Sequence, residues 1–94
     1  MSVYVDDVFI PFGRMRMCHM IADTEQELHA MAVLLGLRSE WFQDKKYPHY
    51  DISKAKRAEA IRHGVIEVSV KELIALAKGQ ERDQEKKSTH FADG

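Results

Sequence analysis

The segment His-Tyr-Asp-Ile-Ser at residues 49–53 places an imidazole two positions from a carboxylate. If the segment is extended, the side chains of His49 and Asp51 point to the same side of the chain. The carboxylate can then orient the imidazole for proton transfer, or both side chains can ligate one metal ion. The alternative is structural: Asp51 or Ser53 caps the helix that follows, and His49 is a polar loop residue.

Two further histidines lie near a predicted junction between a strand and a helix. His19 shares a strand face with apolar residues, and His29 lies at the edge of the apolar face of the next helix. Ligands of α/β sheets bind where strands lead into helices, so both side chains could face one crevice. We take His19, His49 and Asp51 as candidate catalytic residues, with a histidine as general base or metal ligand. The alternative for each histidine is a hydrogen-bonded position at the edge of the core.

Carboxylates close to these histidines add the candidate ligands of a divalent metal. Asp6 lies in a predicted strand that is apolar on both faces, so its carboxylate needs a partner or a metal ion. Arg14 or Arg16, across a predicted hairpin, would be a structural partner. His29, Asp23 and Asp6 form a second-rank set of metal ligands, because their spacing matches neither a zinc finger nor an HExxH helix.

Positive charge is concentrated in the middle of the chain, where residues 38–63 contain seven basic and four acidic side chains. Lys54, Lys56 and Arg57 fall in the first turn of the second predicted helix. Free N–H groups and the helix dipole favour an anion at that position, and arginine makes two-pronged contacts with phosphate. We therefore expect these residues to hold a phosphate group and Arg57 to be dispensable for folding. The alternative is a solvated basic face.

The strands that must position these residues are predicted from hydrophobic periodicity. Runs at residues 3–10 and 14–22 are separated by Pro-Phe-Gly at 11–13 and predict an antiparallel hairpin. A short β-branched strand is predicted at 65–68, and residues 37–52 are predicted to be irregular.

Three helices are predicted, at residues 24–35, 53–63 and 70–78. The first and last open with capping boxes, Thr24 with Glu27 and Ser69 with Glu72. The element order predicts one α/β domain, in which a small sheet made of the N-terminal β-hairpin plus a later strand is covered by about three helices. The expected core residues on the helices are Leu28, Met31, Leu35, Leu73 and Ile74.

Composition limits the classes of protein to which this chain can belong. Its 94 residues carry 14 basic and 15 acidic side chains, which excludes a wholly basic nucleic-acid coat protein. Cys18 is the single cysteine, so no disulfide forms within the chain. No apolar run could span a membrane and no signal peptide is apparent, so we expect a cytoplasmic protein. Residues 1–79 predict one domain, 80–94 predict a polar flexible tail, and the small size is compatible with a homodimer.

The order of the motifs resembles one known family. The shared segments are Tyr-Val-Asp-Asp at 4–7, His-Met-Ile-Ala-Asp-Thr at 19–24, Glu-Leu-His at 27–29, His-Tyr-Asp-Ile-Ser at 49–53 and Lys-Arg at 56–57. They resemble a small bacterial and phage family that is catalogued as a domain of unknown function, over about residues 2–75. The resemblance implies a bacterial or phage origin and gives the recurring polar residues more weight as a site. It implies no particular activity.

Two functional hypotheses follow from these observations. In the first, the protein binds a nucleotide, a phosphoester or nucleic acid through its polar residues and hydrolyses it, with a divalent metal as the candidate cofactor. In the second, it is a non-enzymatic phage accessory or host-directed module, and Trp41, Phe42 and Tyr47 are exposed anchors for a protein partner. Histidines that converge would favour the first hypothesis, and scattered histidines with an exposed Trp41 would favour the second.

Overall fold

The computed structural model describes residues 2–79, so the predicted tail at 80–94 lies outside the described residues. Within the described chain, six strands form one mixed sheet with three α-helices, which confirms the predicted α/β class. The strands are β1 (Val3–Val5), β2 (Ile10–Phe12), β3 (Met15–Ala22), β4 (Phe42–Gln43), β5 (His49–Ser53) and β6 (Ile66–Glu67). The helices are α1 (Glu25–Leu34), α2 (Lys54–Arg62) and α3 (70–79), with a 3-10 turn at Ser39–Trp41.

The sheet is built around β3, its longest strand. Strand order is β4-β5-β3-β1-β6, and β2 pairs with the first residues of β3. All neighbouring strands are antiparallel except β1 and β6, which are parallel. Because β3 pairs on both sides, side chains on it lie at the centre of the sheet.

The structure corrects the predicted first strand, which is split into β1 and β2. Asp6 and Asp7 follow β1, and Phe9 adopts a φ of 47°, a left-handed conformation that is rare outside glycine. As a result β1 pairs with the end of β3 and β2 with its beginning, instead of forming one continuous hairpin. A second correction concerns residues 37–52, where β4 and the start of β5 replace a predicted irregular segment.

One face of the sheet carries the main core. Alternate residues of β3, among them Cys18 and Met20, are buried there with Tyr50 and Ile52 of β5. The buried faces of α1 and α2 cover them. The helical residues in this core are Leu28, Ala32, Leu35 and Ala60.

The opposite face is covered by α3, through Leu73 and Ala77 against Ile21 of β3. Burial of Leu28, Leu35 and Leu73 agrees with the predicted core, and Met31 is half-buried. Ile74 was expected in the core but is 42% exposed, because α3 packs through its 73–77 side.

The predicted capping box of Ser69 and Glu72 is complete, because each side chain accepts from the backbone N–H of the other residue. At Thr24 the hydroxyl accepts from the Glu27 backbone N–H as predicted, but the Glu27 carboxylate accepts from the Thr24 hydroxyl and not from its backbone N–H. Ser53 caps α2 by accepting from the Lys56 N–H. None of the helices in the described chain is long and apolar enough to cross a membrane.

Leu28→Ala tests the main core. Leu28 is 2% exposed and its truncation leaves a cavity, so the free energy of unfolding should fall by about 2–5 kcal/mol in a urea titration. The matched control is Leu34→Ala on the same helix, where the side chain is 55% exposed and the change should stay within about 0.5 kcal/mol. Equal losses at the two positions would contradict the packing of α1 described above.

Candidate metal centre

Three potential metal ligands meet on the α3 face of the sheet, where β3 pairs with β5. The register places His19 directly opposite Asp51, and His49 lies two residues along β5 on the same face. Nε2 of His49 lies 3.4 Å from Asp51 Oδ1, and Nε2 of His19 lies 3.8 Å from the same oxygen. One ligand atom from each of the three side chains lies within 4.8 Å of the other two.

Both imidazole rings are held through their Nδ1 atoms. Nδ1 of His19 donates to the Asp6 carboxylate over 2.7 Å, and Nδ1 of His49 donates to the Tyr47 carbonyl over 2.7 Å. Neither acceptor carries a hydrogen, so Nδ1 must be the donor and holds the hydrogen of each neutral ring. The lone pair on each Nε2 is therefore free to face Asp51. This is how second-shell acceptors orient histidines that bind metals.

Asp6 is the only buried charged residue of the described chain, and its carboxylate is fully satisfied. One oxygen accepts from the His19 backbone N–H at 2.9 Å and more weakly from the Val8 N–H, and the other accepts from the His19 ring. Burial has the largest effect on the Asp6 pKa and raises it, but the hydrogen bonds and charge of His19 outweigh burial and lower the pKa. Asp6 is therefore a stable anion behind His19.

The same contact determines the protonation of His19. The hydrogen bond to Asp6 raises the pKa of His19 more than burial lowers it, and the charges of Asp6 and Asp51 raise it further. Above that pKa the ring keeps its Nδ1 proton and presents a lone pair at Nε2. Below it, Nε2 carries a proton toward Asp51. A cation or a proton can thus occupy this position, but not both.

Two cavities flank the pairing of His19 with Asp51. A cavity of about 160 Å³ lies under α3, with Asp6, His19 and His49 at its polar end. Its remaining walls are apolar or aromatic, and they are formed by Ile21, Tyr47, Val70, Leu73, Ile74 and Ala77. A second cavity of about 120 Å³ lies on the β2 side, between Phe12 and Asp51. A ligand can therefore reach the centre from either side.

A family model matches most of the chain, including the residues of the candidate metal centre. A family model described as Protein of unknown function (DUF4031) matches residues 3–80. The chain belongs to the DUF4031 family. The match confirms the resemblance to a family of unknown function, and it spans His19, His49 and Asp51 together with Asp6. No curated protein and no solved structure matches the chain.

Two sequence-predicted metal ligands of this DUF4031 protein lie outside the cluster. His29 is on the opposite face of the sheet, where its Nδ1 is 2.8 Å from the Tyr50 hydroxyl and its ring contacts Phe42. Asp23 accepts from the Ser2 backbone N–H and the Tyr4 hydroxyl and so holds the start of β1. Asp6, the third, positions His19 from behind.

Two of the basic residues of α2, Lys56 and Arg57, are occupied by contacts within the fold. Lys56 donates to the Leu35 carbonyl at the end of α1 over 2.6 Å and pairs with Glu59. Arg57 donates from Nε to the Asp6 backbone carbonyl over 2.7 Å. Its guanidinium also pairs with Glu67 and lies over the Phe9 ring. Lys54, by contrast, is exposed and has no side-chain partner within the described chain.

Arg57→Ala tests whether this arginine serves the fold, contrary to the expectation that it is dispensable. The substitution leaves the Asp6 carbonyl without its donor, so the free energy of unfolding should fall by about 1–3 kcal/mol. Lys54→Ala, three residues earlier on the same helix, is the control and should change stability by less than about 0.5 kcal/mol. Chemical denaturation of both variants measures the two changes. An Arg57→Ala variant as stable as wild type would show that this arginine is a surface residue that the fold does not need.

The three aromatic residues of the interaction hypothesis do not form one surface. Trp41 is 47% exposed and lies beneath the guanidinium of Arg38. Phe42 packs against the main core, next to Tyr50. Tyr47 packs on the α3 side and lines the larger cavity. Only Trp41 is therefore placed as an anchor on the surface.

Asp6→Asn tests the carboxylate–imidazole contact. Ionised Asp6 stabilises the fold above the ordinary pKa of aspartate, and protonated His19 stabilises it below the ordinary pKa of histidine. The stability difference between wild type and variant should therefore be largest between about pH 4 and 6.5, at about 1–3 kcal/mol, and smaller on both sides. Asp7→Asn, at the exposed neighbouring carboxylate, should show no such pH window. Urea titrations across pH measure both, and a flat difference would contradict the contact.

Proposed function

We propose that this DUF4031 protein binds a divalent transition metal through His19, His49 and Asp51 and uses it to activate water for hydrolysis. The observation that supports the proposal is the convergence of both Nε2 atoms on the same oxygen of Asp51, at 3.4 and 3.8 Å. Each ring is already turned toward Asp51 by an acceptor on its Nδ1. Two imidazoles and one carboxylate form a ligand set that suits first-row transition metals.

The spacing of the cluster is close to that of a filled site. A tetrahedral zinc ion with ligands at about 2.0–2.1 Å separates neighbouring ligand atoms by about 3.4 Å. The distances from Asp51 Oδ1 to the two Nε2 atoms are 3.4 and 3.8 Å. All three ligand atoms lie within 4.8 Å of one another, so rotation of the partly exposed side chains would have to close the remaining gap around one ion.

Three protein ligands leave at least one coordination position for water or substrate, as in catalytic zinc sites. A metal ion in such a site lowers the pKa of bound water to about 7 and so supplies a nucleophile. Lys56 and Arg57 are engaged inside the fold, so an anionic substrate group would bind the metal itself. This keeps His19, His49 and Asp51 as the catalytic residues of the hydrolase hypothesis and assigns to the metal the phosphate contact that was expected from Lys56 and Arg57.

The direct test is a calorimetric titration of the metal-free protein with Zn²⁺, supported by the visible spectrum of the Co²⁺ form. Removal of a ligand in His19→Ala, His49→Ala or Asp51→Asn should weaken binding by more than about 100-fold, since loss of a residue that only orients a ligand weakens it by about 10–100-fold. Asp6→Asn removes the acceptor that orients the His19 ring, so its effect should fall within that lower range. His63→Ala, at an exposed histidine that ends α2, is the matched control and should bind like wild type.

Metal affinity should also depend on pH in a definite direction. Because the pKa of His19 is raised, a proton competes for Nε2 at higher pH than it would on an ordinary histidine. Affinity should fall as pH falls through this pKa, and binding below it should release a proton to the buffer. Titrations in buffers of different ionisation enthalpy measure the release. Stoichiometric binding that survives both histidine substitutions would exclude the proposed site.

Hydrolytic activity is a separate readout of the metal-loaded protein. Para-nitrophenyl acetate and para-nitrophenyl phosphate cover the carboxylic ester and phosphoester classes with one chromophore. Activity should require the metal and disappear in Asp51→Asn. Tight metal binding without metal-dependent release of nitrophenol from either substrate would leave a metal site and reject the hydrolase.

A further inference from the structure

We infer that the ligand of this centre carries a ring-sized apolar group next to its metal-binding atoms, and that this group occupies the cavity under α3. The inference rests on the proposed metal site. It replaces the nucleotide of the sequence-based hypothesis with a more apolar class of molecule, such as an aryl or branched alkyl ester or carboxylate. The size, the lining and the orientation of the cavity each support it.

The volume of the cavity suits one ring. At about 160 Å³ it is close to the engineered apolar cavity of about 150 Å³ that stays dry and binds benzene. A nucleoside, with a base and a sugar, is larger than this space and would extend beyond it. A single six-membered ring or a branched chain of similar volume fills it.

The lining selects against polar groups. Beyond the histidine end, the walls are made by apolar side chains such as Ile21 and Leu73 and by Tyr47, and the described residues of the lining include no lysine or arginine. A nucleobase placed there would lose water from its ring nitrogens and exocyclic groups without gaining partners. An apolar ring has no hydrogen bonds with water to lose, and the burial of its apolar surface is favourable.

The orientation of the cavity places its polar end at the proposed metal. His19 and His49 belong both to the ligand cluster and to the cavity lining. A molecule whose metal-binding group is attached directly to a ring can therefore satisfy the ion and the apolar walls at once. A molecule with only the metal-binding group satisfies the ion alone.

The experiment compares acetohydroxamate with benzohydroxamate on the zinc-loaded, full-length protein by calorimetry. Both carry the same metal-binding group and differ only in a methyl or a phenyl substituent. Burial of the phenyl ring should make benzohydroxamate bind about 10–100-fold more tightly. Phenyl phosphate should likewise bind more tightly than adenosine monophosphate, which has the same phosphate monoester on a polar nucleoside.

Cavity variants test where the ring binds. Ala77→Leu fills the space and should abolish the preference for the ring while zinc and acetohydroxamate affinities stay unchanged. Ala75→Leu, an exposed position on the same helix that does not line the cavity, should keep the full preference. Because leucine at 77 overpacks a buried contact, Ile74→Ala at the exposed wall gives a second test. It removes a wall contact without overpacking. It should weaken the binding of benzohydroxamate and leave the affinities for zinc and acetohydroxamate unchanged.

The outcomes separate this inference from the proposed function. Zinc binding with equal hydroxamate affinities, or with adenosine monophosphate preferred to phenyl phosphate, would overturn the cavity assignment and leave the metal site standing. A ring preference that is unchanged in both folded variants, Ala77→Leu and Ile74→Ala, would also overturn it. Failure of the protein to bind zinc at the cluster would reject the proposed function, and this inference with it.

Discussion

The contact between the Asp6 carboxylate and His19 is the interaction on which both the fold and the site depend. Asp6 follows β1 and continues its pairing with β3, since its own N–H donates to the His19 carbonyl while its side chain accepts from the His19 N–H. A charge with no solvent exposure is tolerated only when its partners are complete, as they are here. Arg57 then holds the Asp6 carbonyl from α2, so one residue joins a strand, a helix and the candidate metal ligand.

The antiparallel pairing of β3 with β5 explains why the ligands meet without a loop. Residues opposite each other in such a pair share a face, and residues two apart along a strand do so as well. His19, Asp51 and His49 satisfy these two relations. Side chains on paired strands have less freedom than side chains on loops, and this suits a metal site, which must hold its ligands at fixed distances.

Local signals in the sequence predicted the elements well, and non-local pairing limited the rest. The capping boxes at Thr24 and Ser69 act over three residues, so their positions were predicted correctly. His49 and Asp51 were expected on one face because that relation needs only an extended segment.

The pairing of Asp6 with His19 depends on strand register, which shifts at the positive φ of Phe9. The sequence did predict that a carboxylate in an apolar strand needs a partner, but it did not indicate that the partner is His19. His29 was grouped with His19 because sequence does not indicate which face of the sheet a helix covers. The contacts of Lys56 and Arg57 reach 21 and 51 residues along the chain, beyond any local pattern.

The position of His19, His49 and Asp51 on the middle strands also determines which unfolding motions would expose them. His19 lies on β3, which has neighbouring strands on both sides, and its backbone N–H is hydrogen-bonded to Asp6. Hydrogen exchange at this amide therefore requires β3 to separate from its neighbours. Fraying of an edge strand such as β6 leaves the ligand atoms in place. An ion bound at this point would therefore slow exchange across the whole sheet instead of in one loop, because it binds the folded state and not the globally open one.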